Sequence, residues 1–96
     1  MHLLFSPRVQ IKLLNKHAVQ QHEVEECFRN KTGRTLRDKR AINRTFPSTW
    51  WFISQTNEGR RLKIVFIRLV NGDCSIKTAY EPDEAEESIY EIKGSR

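Results

Sequence analysis

Between Trp50 and Tyr90 the chain can be read almost element by element, and that stretch leaves few folds open. Trp50-Trp51-Phe52-Ile53-Ser54 predicts a strand and Thr56-Asn57-Glu58-Gly59-Arg60 a turn. Residues 62–67, the most apolar run of the chain, predict a second strand. Asn71-Gly72-Asp73 is a tight hairpin signal, because Asn-Gly tolerates the positive φ angles that two-residue turns require. Residues 75–80 predict a third strand, and Pro82-Asp83-Glu84 opens a short helix ending near Tyr90. Antiparallel hairpins with Arg at one turn and Tyr at one strand end make a platform suited to handling phosphate.

The first half reads as helical. Ser6-Pro7 is a helix start, with Ser as N-cap and Pro at the first helical position. Val9, Leu13 and Leu14 recur at helical spacing, and Asn15-Lys16-His17-Ala18 interrupts the pattern. Residues 20–29 resume it, with Val24, Cys27 and Phe28 on one face and Glu23, Glu25 and Glu26 mostly on the other. Gly33 then ends the helix. Arg34-Thr35-Leu36-Arg37 is a strand or a basic loop, and residues 37–47 show no periodicity and predict a long loop. Residues 91–96 predict a frayed tail.

Ninety-six residues allow a single domain, 1–96 with its core in 6–90, and one modest core. The apolar start, Met1-His2-Leu3-Leu4-Phe5, meets Pro7 and Arg8 too soon for a secretory signal, and no apolar run approaches the ~20 residues of a membrane span. The expectation is a cytoplasmic protein with no membrane partner. Cys27 and Cys74 lack the paired spacing of zinc sites and read as reduced, partly buried thiols.

Charge is unevenly spread. Residues 1–70 carry fourteen Lys/Arg against five Asp/Glu, whereas residues 71–96 carry three against seven. A basic body with an acidic tail points to a polyanion or an acidic protein as partner. Arg37, Lys39, Arg40 and Arg44 could follow a phosphate backbone along the loop, with Lys63 on the central strand; a solvated loop is the plain alternative.

The order of elements resembles the small ribonuclease toxins of the RelE/ParE superfamily, and within it the BrnT-like toxins. The likeness rests on Lys16-His17-Ala18-Val19 followed by Glu23 and Phe28, on Gly59-Arg60-Arg61-Leu62, on Ile76-Lys77-Thr78-Ala79, and on Glu86 with Tyr90. BrnT-like chains usually carry Gly where Ala18 stands and Arg where Tyr80 stands. The resemblance implies an α+β, RelE-like fold: two N-terminal helices on a three- to four-stranded antiparallel sheet, with a short C-terminal helix. It implies a bacterial toxin that cleaves RNA or mRNA without metal or cofactor and leaves a 2′,3′-cyclic phosphate. It also implies an acidic antitoxin encoded next door, and assembly as a homodimer or as a hetero-oligomer with it.

Such chemistry needs a base for the ribose 2′-OH, cations for the phosphorane and an acid for the leaving 5′ oxygen. His17 has the ordinary pKa for either proton role. Arg60 and Arg61 can offer bidentate positive charge, and Tyr80 can orient a hydroxyl or stack a base. Each also has a plain reading: a histidine tethering two helices, and solvated arginines at a turn. Alternation puts Trp50 and Trp51 on opposite sides of their strand, so one of them is core. His22-Glu23-Val24-Glu25-Glu26 lacks the second histidine of a zinc-protease helix, and the carboxylates after Pro82 suit a helix start. The reading from a different class is a non-catalytic RNA- or protein-binding module on a degenerate RelE-like scaffold.

Overall fold

The computed structural model describes residues 1–38 and 47–94. Its elements are β1 (Leu3–Leu4), α1 (Pro7–His17), α2 (Gln21–Arg29), β2 (Leu36–Arg37), β3 (Thr49–Gln55), β4 (Arg61–Arg68), β5 (Cys74–Tyr80) and α3 (Glu84–Lys93). The fold is α+β, and its strands form one five-stranded sheet in the order β1-β5-β4-β3-β2. The three central strands are antiparallel hairpin neighbours, with turns where they are expected. The second is not the two-residue turn expected of Asn71-Gly72 but a five-residue loop from 69 to 73, in which only Gly72 takes a positive φ, of 93°. Two corrections apply to the sheet. Leu3 and Leu4, expected only as a short apolar start, pair in parallel with Cys74 and Ser75. The sheet is therefore mixed, with one strand more than the three to four expected. A two-residue strand leaves no periodicity to read; it exists because β5 offers a free edge.

Helix boundaries follow local chemistry. The Ser6 hydroxyl accepts from Val9 N–H at 3.2 Å and caps α1, with Pro7 in its first turn. α1 then runs to His17, three residues past the break predicted at Asn15. Asn15 and Lys16 face solvent, so their polarity does not oppose the helix. The real break is at Ala18, whose φ of 52° places it in the left-handed region. Val19 then turns back, donating to Leu13 O at 2.9 Å and burying its own side chain completely. α2 stops at Arg29 with Asn30 as cap, ahead of Gly33. Gly33 serves another purpose: a Cβ there would collide with the Tyr90 hydroxyl and the Gly94 carbonyl. α3 opens on a reciprocal box, Asp83 accepting from Glu86 N–H at 2.8 Å while Glu86 accepts from Asp83 N–H at 3.0 Å. It continues to Lys93, beyond the end expected near Tyr90.

The sheet has two unlike faces. Register puts Phe52, Leu62, Ile64, Phe66, Ile76 and Ala79 on one of them, and each is almost wholly buried. Phe28 of α2 meets Phe52 and Phe66 there edge-on, with centroids 4.9 and 5.4 Å apart. The opposite face carries Trp51, Ile53, Lys63, Val65, Thr78 and Tyr80, and α3 covers only part of it through Tyr90 against Trp51. Trp51 is thus the buried tryptophan. Trp50 is half-buried, with the Arg68 guanidinium 4.4 Å above its ring. Val65 pairs with Thr78 but Phe66 with Ile76, so Lys77 is an extra residue that bulges β5.

Candidate functional site: a groove over a buried lysine

Lys63 lies in the middle of β4 between Leu62 and Ile64, and only 5% of it is exposed. Its ammonium lies 2.8 Å from Glu86 Oε2, 4.5 Å above the Trp51 ring and 5.8 Å from that of Tyr80. The Tyr80 hydroxyl donates to the same Glu86 oxygen at 2.7 Å. Burial of the Glu86 carboxyl works to raise its pKa, but hydrogen bonds from Lys63, Tyr80 and the Asp83 backbone outweigh it and hold the pKa below the ordinary value. Glu86 is therefore a carboxylate at neutral pH. A desolvated charge pair in a cleft makes this place the candidate site on physical grounds.

That cleft is a groove of about 760 Å³ between β2 and α3. Trp51 and Lys63 form its floor, the backbone from Arg34 to Asp38 one wall, and Glu86, Ile89 and Lys93 the other. The walls are tied together. Arg34 N–H donates to Gly94 O at 2.7 Å, and the Tyr90 hydroxyl donates to Arg34 O at 2.7 Å. Arg34 is exposed on the rim, so with Lys93 and Lys63 the groove holds three cations against Asp38 and Glu86; Arg37 pairs with Trp50 and so projects its side chain from the other face of β2. Phosphate fits such a rim, because guanidinium and ammonium groups supply charge-assisted hydrogen bonds.

The other expected residues are spread more widely. The His17 ring lies 5.5 Å from that of Tyr80, at the same end of the sheet as the Lys63–Glu86 pair. Burial, then Lys12 and Lys16, lowers its pKa, so the imidazole is neutral at physiological pH. Arg60 points elsewhere, into the bend between the helices. It donates to Ala18 O at 2.8 Å and His17 O at 3.2 Å, and pairs with Glu23 at 3.1 Å and Glu81 at 2.9 Å. Every face of that guanidinium is used, and it works as a brace. Arg61 forms a fork with Glu87 at 2.8 and 3.1 Å, along the exposed edge of α3. Arg37 stands in the β2 wall of the groove, but its pairing with Trp50 turns its side chain to the other face. Lys39, Arg40 and Arg44 lie outside the described residues.

The fold thus sets Tyr80 beside Lys63 and His17 against the Tyr80 ring, leaves Arg37 apart on the edge strand, and holds Arg60 and Arg61 in carboxylate pairs of their own. Sequence reasoning passed over Glu86 as a site residue, along with Arg34 and Lys93. One signal for Glu86 was present, the Asp83-x-x-Glu86 capping box, which fixes the carboxylate at the start of α3. Among the described residues no helix is long and apolar enough to cross a membrane. No family model matches the chain, and no curated protein matches it.

Proposed function

We propose that this protein binds single-stranded RNA in the groove between β2 and α3 and cleaves it there, as the ribonuclease toxin of a toxin–antitoxin pair. The observation carrying the proposal is the Lys63–Glu86 pair, desolvated yet open to a groove rimmed by Arg34 and Lys93. The resemblance of the sequence to RelE-like toxins gives the reading its class; the pair gives it a chemistry. Glu86 takes the 2′-OH proton as that oxygen attacks phosphorus. Lys63 faces the developing phosphorane charge and protonates the 5′ oxygen as the P–O5′ bond breaks. The proton on Glu86 then returns to Lys63 across their 2.8 Å contact, leaving a 2′,3′-cyclic phosphate and a 5′-hydroxyl. Tyr80 holds Glu86 in place as a positioning residue.

The test is incubation with RNA oligonucleotides in excess EDTA, with product ends identified by mass. Cleavage to cyclic phosphate ends is expected, falling about a hundredfold or more for Lys63→Met, the scale of losing one transition-state donor. Binding that weakens with salt, without cleavage, gives the non-catalytic module instead. No binding at low salt removes RNA altogether. Growth arrest on induced expression, relieved by a neighbouring acidic gene product, separates a toxin from an ordinary ribonuclease.

A further inference from the structure

Arg37 turns away from the groove, and the face it turns to holds a set of groups that the proposed cleavage does not use. Its partner across the antiparallel ladder is Trp50, so the two side chains leave the sheet on the same side as close neighbours. Phe28 covers Phe52 and Phe66 there, while Trp50, at the border of that apolar layer, stays half-buried. Arg68, two residues beyond Phe66 on β4, holds its guanidinium 4.4 Å above the indole. Both arginines are exposed, and neither makes an ion pair with a described residue. The acids next to them in sequence are engaged elsewhere. Asp38 lines the groove, and Asp73 accepts from His2 N–H and from the Asn71 amide.

We propose that Arg37, Trp50 and Arg68 form a second contact for single-stranded RNA, one unpaired base stacking on the Trp50–Arg68 shelf and the phosphate beside it meeting Arg37. Each group suits that ligand. Every base has a flat π-face that an indole or a guanidinium plane accepts whatever its identity. Arg37 brings a forked donor set that matches two phosphate oxygens. β2 is the last strand of the sheet and only two residues long, and the groove lies on its other side. A strand leaving the groove past Arg34 therefore rounds one short edge to reach Arg37 and Trp50. An acidic protein would use the two charges and leave the shelf idle, whereas a nucleotide chain brings anion and flat ring together. The inference rests on reading the groove as an RNA site. It adds an anchor indifferent to base identity, so affinity should grow once a strand is long enough to turn the edge.

The experiment measures binding of 2′-O-methyl RNA, which has no 2′-OH to attack, by fluorescence anisotropy with the whole chain. It compares a strand of about three nucleotides, which cannot reach both faces, with one of about ten. The longer strand should bind more tightly. Trp50→Ala should weaken it about fivefold or more, the scale of one lost base stack, with the short strand as control. Trp50 also packs on the core, so the pair Arg37→Glu with Arg68→Glu, both exposed, gives the same test with the parent's melting point. In the parent, a 5-iodouracil placed along the longer strand should photo-cross-link to Trp50, read by peptide mass. Long-strand affinity unchanged in both variants overturns the proposal, as do cross-links confined to the groove. So does displacement by polyglutamate as effective, charge for charge, as displacement by polyuridylate, which would make this face a site for an acidic protein. Absence of cleavage and of short-strand binding in the parent counts against the groove, while the cross-link at Trp50 decides this contact separately.

Discussion

The two faces of the sheet are built on opposite principles. Under α1 and α2 the register aligns Phe52, Leu62, Ile64, Phe66, Ile76 and Ala79 into a layer without charged groups, in which the buried Ser54 beside Leu62 is the polar member, held by dispersion and the hydrophobic effect. Under α3 the layer contains a lysine, its carboxylate partner and a tyrosine hydroxyl, beside an open groove. Burying an ion pair seldom stabilises a fold relative to apolar residues of the same size. The first face accounts for the fold; the second gives up stability to hold a buried ion pair, which is the physical argument for placing the proposed function there.

The sharpest way to break this contrast is to treat both faces alike. Phe52→Ala should cost about 3–5 kcal/mol, because the cavity opens among rings that cannot close on it, and thermal melting would show it. Lys63→Ala should cost a similar ~3–5 kcal/mol, since Glu86 stays buried without its cation. The double change Lys63→Met with Glu86→Leu should recover most of that loss or exceed the parent, while RNA cleavage stays abolished. A double variant as unstable as Lys63→Ala would show the pair to be structural.

Arg60 gives the next largest effect. Its guanidinium joins the α1–α2 bend, Glu23 and Glu81, so Arg60→Ala should cost about 2 kcal/mol by removing several charge-assisted bonds, yet leave the affinity of the groove for RNA unchanged. Arg61→Ala breaks a pair that is nearly half exposed and should cost no more than about 0.5 kcal/mol. RNA affinity falling with Arg60 but not with Lys63 would move the site to the helix bend.

Ala18 tests the local backbone. Its left-handed φ of 52° costs an L-residue about 1 kcal/mol that glycine does not incur. Ala18→Gly should therefore raise stability by roughly that amount, less the extra freedom glycine gains when unfolded. A loss of stability would show that the alanine side chain contributes more than its strain.

The smallest effect is on pH. The Glu86 pKa is lowered in the fold, so the unfolded chain binds more protons there as pH falls. The pair's stability is then fully present above the unfolded carboxyl pKa and is lost as pH drops through the folded value. Glu86→Gln should flatten that acid limb of a stability–pH curve. An unchanged limb would place the titrating carboxylates elsewhere, Glu23 with its Gln20 and Arg60 bonds being the first alternative.

Much of the fold was legible because its signals are local. Ser6-Pro7, Asn71-Gly72 and the alternation along β3–β5 each fix a dihedral or a face within a few residues. β1 was missed because two residues carry no period, and its pairing depends on β5, seventy residues away. The site was legible only in part. Lys63 and Tyr80 could be picked out, and so could His17, but Arg60 and Arg61 at a turn look alike in sequence. The register and the placement of α2 and α3 send one guanidinium to Glu23 and Glu81, and the other to Glu87.

The sequence by itself determined the longer helices and the three central strands, where the hairpins turn and that the surface is basic, since each follows from neighbours in the chain. Tertiary structure alone decided that Trp51 rather than Trp50 is buried, and that Gly33 makes room for Tyr90. It also decided that a capping glutamate becomes the partner of a buried lysine. Those outcomes depend on which surfaces meet across the sheet, where distance in space, not spacing along the chain, sets the energy of a contact.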